Sequence, residues 1–92
     1  MGKAVQVDGR DNVATVTSDV SEGEVVEVLS PEGDILRLRA LDDISFGHKI
    51  ALTDLDQGEE VVKYGETIGI ASRPIRAGSW AVSYTHLTLP TN

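Results

Sequence analysis

Apolar residues recur at every second position in short runs broken by turn-forming residues, a period that belongs to half-buried strands rather than helices. "KAVQV" (3–7) is closed by "DGRDN"; "VATVTS" (13–18) follows, and "EVVEVLS" (24–30) leads through "PEGD" into "ILRLRA" (35–40). In that last run Leu36, Leu38 and Ala40 share one face and are expected toward a core, with Arg37 and Arg39 toward solvent. "SPEGD" predicts a hairpin turn, because Pro31 presets φ and Gly33 can take a positive one. "HKIAL" (48–52), "EVVKY" (60–64) and "TIGIAS" (67–72) are further strand candidates, whereas "LDDISFG" (41–47) is either a single helical turn or a loop. No stretch sustains a helical period over about ten residues, and no internal repeat is evident. The expectation is an all-β domain with short turns and at most one or two single-turn helices.

Length and charge narrow the partners. At 92 residues the chain supplies one small domain, with a formal net charge of −7 from 8 basic and 15 acidic residues. An acidic surface argues against nucleic acid and anionic membrane, both of which call for a basic one. The chain contains no cysteine, so neither a disulfide framework nor a thiolate metal site is available. Its start lacks the apolar stretch of a signal peptide, Gln6 stands where a myristoylation signal has Ser or Thr, and no apolar run approaches the ~20 residues of a membrane span. A cytoplasmic domain is expected. Residues 1–45 hold ten acidic and four basic groups, residues 46–92 five and four, so the second half repels a small anion less.

The end of the chain has a different composition. All charged residues lie at or before Arg76, and "AGSWAVSYTHLTLPTN" (77–92) has none. A final strand with a polar tail is one reading. The other is that "SYTHLTLPT", which resembles translated sequencing-adaptor DNA, is foreign to the natural protein. Residues 1–80 are therefore taken as the domain and 81–92 as an atypical tail.

Candidate chemistry is sparse. His48 and Lys49 sit side by side at the mouth of a strand; an extended backbone sends them to opposite faces, unless a bend at Gly47 lets both converge on one cleft. Left to the residues alone, His48 is either a polar corner of a site or an edge histidine bonded to a carbonyl. Asp54 and Asp56, with Glu59 and Glu60 beyond, lack the twelve-residue calcium-loop pattern, and one histidine is a thin soft donor. No complete metal site is expected within the chain. Nucleophile-elbow and phosphate-loop motifs are absent, and Gly65 and Gly69 read first as turn and packing positions.

Taken in order, "FGHKIAL", an acidic spacer with "GE", "VVKYGETIG" and the Ile and Gly of "IRAG" resemble the N-terminal domain of the altronate dehydratase and galactarate dehydratase family, over roughly residues 10–78. The resemblance implies a small β-clip domain of the SAF-like kind, either fused ahead of a large catalytic domain or acting as a separate small subunit. It implies dehydration of a sugar acid with a divalent metal, iron(II), held mainly by the large domain; a sister branch eliminates sulfite from sulfolactate. Both reactions start with loss of a proton beside a carboxylate and continue with departure of a β-substituent. On this reading His48 of "GHK" is the catalytic candidate, imidazole being the side chain that titrates near neutrality. Lys49 would bind the substrate carboxylate, and Tyr64, Gly65 and Gly69 of "YGxxIG" would shape the wall of the substrate cleft. Where the family continues after "IRAG" with a strand of the type "VHVHN", this chain reads "SWAVSYTHLTLPTN", so His86 inherits no role. A non-catalytic β-clip binding module is the alternative from another class.

Overall fold

A computed structural model describes residues 1–81. Of the tail, only Ala81 is among them; the assignment of 82–92, with His86, lies outside the described residues. Seven strands form where the alternating runs place them: β1 Gly2–Val5, β2 Val13–Val16, β3 Val25–Leu29, β4 Ile35–Arg39, β5 Lys49–Ala51, β6 Glu60–Lys63 and β7 Glu66–Ile70. The first five make one sheet in the order β4-β3-β1-β2-β5, while β6 and β7 form a separate hairpin. All pairings are antiparallel except β1 with β3, which run parallel. Among the described residues there is no helix, and none is long and apolar enough to cross a membrane. "LDDISFG" resolves as a loop: Val20 and Ile44 exchange backbone bonds of 2.8 Å in both directions, which holds Ile44 extended.

Alternation along the strands builds two hydrophobic clusters. One centres on Val16, Val26, Val28, Ile44 and Ile50, with Leu38, Leu52 and Trp80 packed against it. The other gathers Val13, Ala51, Leu55, Val61 and Ile75 beneath the β6–β7 hairpin. Because Ile50 belongs to the first and Ala51 to the second, β5 is covered on both faces, as a strand shared between two layers must be. The expectation for β4 needs one correction. Ala40 is buried and Leu38 partly so, but Leu36 is 48% exposed. It lies near the Ile35 end of an edge strand, where the hairpin runs past its covering layer.

The structure also overturns the reading that the chain has no internal repeat. Val20, Ile44, Leu55 and Ile75 are each buried, each followed three residues on by a glycine with φ of 87 to 93°, and each followed six residues on by another buried side chain (Val26, Ile50, Val61, Ala81). In every copy the glycine N–H donates to the carbonyl of a buried residue elsewhere in the chain, namely Ala40, Val16, Ala71 or Ala51. That residue's own N–H returns to the carbonyl just after the glycine, at Glu24, His48, Glu59 or Ser79. The copies couple in two pairs, Val20 with Ile44 and Leu55 with Ile75. In the first pair Asp19 Oδ1 accepts from Phe46 N–H and Asp43 Oδ1 from Glu22 N–H. The second pair keeps half of this exchange: Asp54 Oδ1 accepts from Ala77 N–H, while Pro74 stands where the reciprocal aspartate would. Only the frame apolar-x-x-Gly-x-x-apolar is shared, at unequal intervals of 24, 11 and 20 residues, so no fixed period betrays it.

Candidate functional site

His48 occupies the position after the glycine in the second of these clasps, which explains why its backbone is so firmly held. Its N–H donates to Ser45 O at 3.0 Å and its carbonyl accepts from Val16 N–H at 2.9 Å. The side chain is exposed, and its ring meets Trp80 edge-on, with centroids 5.1 Å apart and planes at 84°. A rigid backbone carrying an accessible imidazole braced on an indole can exchange a proton with, or hydrogen-bond, a hydroxyl brought to it. Lys49 begins β5 opposite Thr15. It is half-buried and has no acidic partner among the described residues. Strand alternation carries it to the Ala51 side, whereas the His48 ring leans on Trp80 beside Ile50. The bend at Gly47 ends at His48 and does not undo that alternation.

Tyr64 and Gly65 lie elsewhere. They form the tip of the β6–β7 hairpin, with φ of 57° and 73°, the two left-handed residues of a tight turn that matches strand twist. Gly65 N–H donates to Asp11 Oδ1 at 2.8 Å, and Asp8 N–H donates to the other oxygen of the same buried carboxylate at 3.1 Å. Arg10 grips Asp8 through Nε and Nη2, and this guanidinium holds the Asp8 carboxyl below the usual carboxylate range. A Cβ at Gly65 would run into both side chains. The Tyr64 ring is 58% exposed and carries the Lys63 ammonium 4.6 Å from its centre. Gly69 is buried opposite Val61, beside the β6 bulge, and is a packing position inside the hairpin.

The candidates thus fall at two corners. His48 and Lys49 adjoin the Thr15–Val16 end of β2, and Tyr64 with Gly65 adjoins its Asp11–Asn12 end, about 13 Å of extended chain away. Asn12 ties the hairpin in place: its Nδ2 donates to Glu60 O and its Oδ1 accepts from Val62 N–H, both at 2.8 Å. "DGRDN" was legible only as a turn; the Asp-x-x-Asp-Asn spacing was the available signal for an anchor. Trp80, the chain's one tryptophan, was likewise passed over as the brace of His48.

The acidic loop does not converge on a metal. Asp54 Oδ1 accepts from Ala77 N–H, Glu59 Oε1 from Asp56 N–H, and Glu60 Oε2 from the Thr67 hydroxyl. Among the described residues no three of His, Cys, Asp and Glu come together to hold an ion. The described residues of this chain offer no site for the iron(II) that the resemblance assigns mainly to the large domain.

Comparison with known proteins identifies the family of this clasp fold. Residues 2–88 match the family model for the altronate/galactarate dehydratase SAF domain. The chain is 40% identical over 74 residues to altronate dehydratase of Escherichia coli, a match covering 80% of this chain and 14% of that protein. It is 38% identical over 76 residues to galactarate dehydratase (L-threo-forming) of the same organism, covering 83% and 13%. It is also 45% identical over 42 residues to the (2R)-sulfolactate sulfo-lyase subunit alpha of Paracoccus pantotrophus, covering 46% of this chain and 63% of that one. The chain therefore spans only about a seventh of the length of the dehydratases it matches, and with a family model aligned to nearly all of its residues it belongs to the altronate/galactarate dehydratase SAF domain family.

Proposed function

We propose that this chain is the small β module of a hydro-lyase that dehydrates a sugar acid, and that it contributes one wall of the substrate cleft to a large catalytic part, either fused or separate. The observation that carries this reading is the match to two sugar-acid dehydratases along four fifths of the chain. The exposed, backbone-clamped His48 supports it. In this role His48 moves a proton or bonds a substrate hydroxyl, and Lys49 pairs with a carboxylate. Tyr64 and Gly65, with Gly69 packing behind them, shape the neighbouring wall. The module is inactive alone; a divalent ion, iron(II) by the family resemblance, is assigned to the large part. An acidic chain without cysteine suits the cytoplasm, without nucleic acid or membrane as partner.

A second reading has its own support. The sulfo-lyase relative is a named subunit, and this chain aligns with 63% of it, so elimination of sulfite from sulfolactate on the same scaffold is the rival activity. Assembling the chain with its large partner and assaying altronate, galactarate and sulfolactate separates the two. Turnover of either sugar acid supports the dehydratase. Turnover of sulfolactate alone transfers the assignment to the sulfo-lyase, and a folded complex inactive on all three leaves a non-catalytic binding module. In the active complex, Tyr64→Asn tests the wall. Asparagine tolerates the left-handed φ, and that relief offsets the exposed cation–π contact, so stability should stay within about 0.5 kcal/mol. Lower kcat/KM at unchanged stability is the expected outcome, and parental kinetics would return Tyr64 to a turn residue.

A further inference from the structure

We propose that the cleft between the Leu41–Asp42 segment and the Arg73–Ser79 turn is a carboxylate-binding subsite for a polyhydroxy acid, with Arg73 and Arg76 as its anion-binding pair. The cleft encloses about 320 Å³, and its walls include Leu41, Asp42, Arg73, Pro74, Arg76 and Ser79. That volume lies at the small end of the range for sites that take small molecules.

Charge pairing and position together single out the two arginines. Of the chain's eight basic side chains, five are engaged. Lys3 and Arg37 share Glu27, Arg10 pairs with Asp8, Arg39 donates to Gly23 O, and Lys63 lies over the Tyr64 ring. Among the described residues Lys49, Arg73 and Arg76 have no acidic partner, and of these three the two arginines are exposed on the same cleft. The turn that bears them is rigid. Ile75 exchanges bonds of 2.8 Å with Leu55 in both directions, Ala77 N–H is capped by Asp54, and Ser79 N–H closes on Arg76 O. Two guanidinium forks on a fixed turn match the planar, bidentate geometry of a carboxylate.

The remaining walls suit the rest of such a ligand. Asp42 lines the opposite wall, which is fixed in place where its Oδ2 accepts from Trp80 N–H at 3.0 Å. Leu41 and Pro74 present apolar surface to a carbon chain. Trp80 links this cleft to His48, its backbone bonded to Asp42 and its ring edge-on to the imidazole. A substrate held here by its carboxylate would approach His48 across that one side chain, and Lys49 would not be its sole anchor. The choice of carboxylate over phosphate rests on the function proposed above.

Titrating the isotope-labelled 92-residue chain with galactarate, altronate, acetate and inorganic phosphate at low ionic strength, while following the arginine Nε–Hε signals, tests the site. Saturable shifts at Arg73 and Arg76 with the two sugar acids are expected, weaker with acetate, and about tenfold weaker binding in the Arg73→Gln/Arg76→Gln variant. Both side chains are exposed, so the variant should keep the parental spectrum elsewhere. No saturable shift with either sugar acid would overturn the subsite, as would shifts that survive the double substitution. Phosphate binding more tightly than the sugar acids would overturn its assignment to carboxylates. If the assembled enzyme turns over a sugar acid while the chain shows no arginine shift, the subsite fails and the dehydratase reading stands. Arginine shifts in the chain beside a complex inactive on all acids have the opposite meaning.

Discussion

Replacing Gly78 with alanine is expected to cost about 3 kcal/mol of folding stability, a large share of what a domain this small possesses. Its φ of +93° already disfavours any side chain. A Cβ there would also overlap the backbone carbonyl oxygen of Arg39, which cannot rotate aside as a side chain would. Gly78 N–H donates to Ala51 O at 2.8 Å and its carbonyl accepts from Leu41 N–H at 2.9 Å. Relief of the overlap therefore disturbs β5 and the arginine cleft together. Gly47 and Gly58 provide the control. They hold the same place in the clasp, with φ of 87° and 91°, and nothing lies within 4 Å of an added Cβ. Alanine at either should cost only about 1 kcal/mol, the strain of the left-handed backbone. Urea unfolding of the three variants measures the difference; equal costs would mean that the fourth clasp does not pack against Arg39.

His48→Gln is expected to lower turnover of the assembled enzyme at least about tenfold while leaving stability within about 0.5 kcal/mol of the parent. Glutamine retains hydrogen-bonding groups but cannot exchange a proton near neutral pH, so a loss confined to kcat identifies proton transfer. The side chain is exposed, resting edge-on against Trp80, and the clamping is done by its main chain, which keeps a folding defect from imitating a catalytic one. Lys49→Ala, by contrast, should act mainly on KM if Lys49 pairs with a carboxylate. Unchanged kinetics in His48→Gln would leave His48 as an edge residue resting on Trp80.

Much of the fold is local, and local features are legible. Each of the seven strands announces itself by alternation, and "SPEGD" by turn chemistry, because side-chain period and permitted φ depend only on near neighbours. The family was legible as well, in the order of "FGHKIAL", "VVKYGETIG" and "IRAG". What escaped were relations between segments far apart in sequence. The parallel pairing of β1 with β3, the exposure of Leu36, the four clasps, and the service of Asp11 and Asn12 as hairpin anchors all depend on such relations.

The sequence by itself determined an acidic, cysteine-free, all-β chain, its strand positions and its family. Tertiary structure alone decided that His48 stands against Trp80, and that the hairpin tip with Tyr64 and Gly65 sits at the other end of β2. It also brought Arg73 and Arg76 to one cleft with Asp42, more than thirty residues earlier in the chain. The physical reason is the clasp. A left-handed glycine lends its N–H to a carbonyl some 13 to 31 residues away, and no period or propensity in a linear chain encodes which carbonyl that will be.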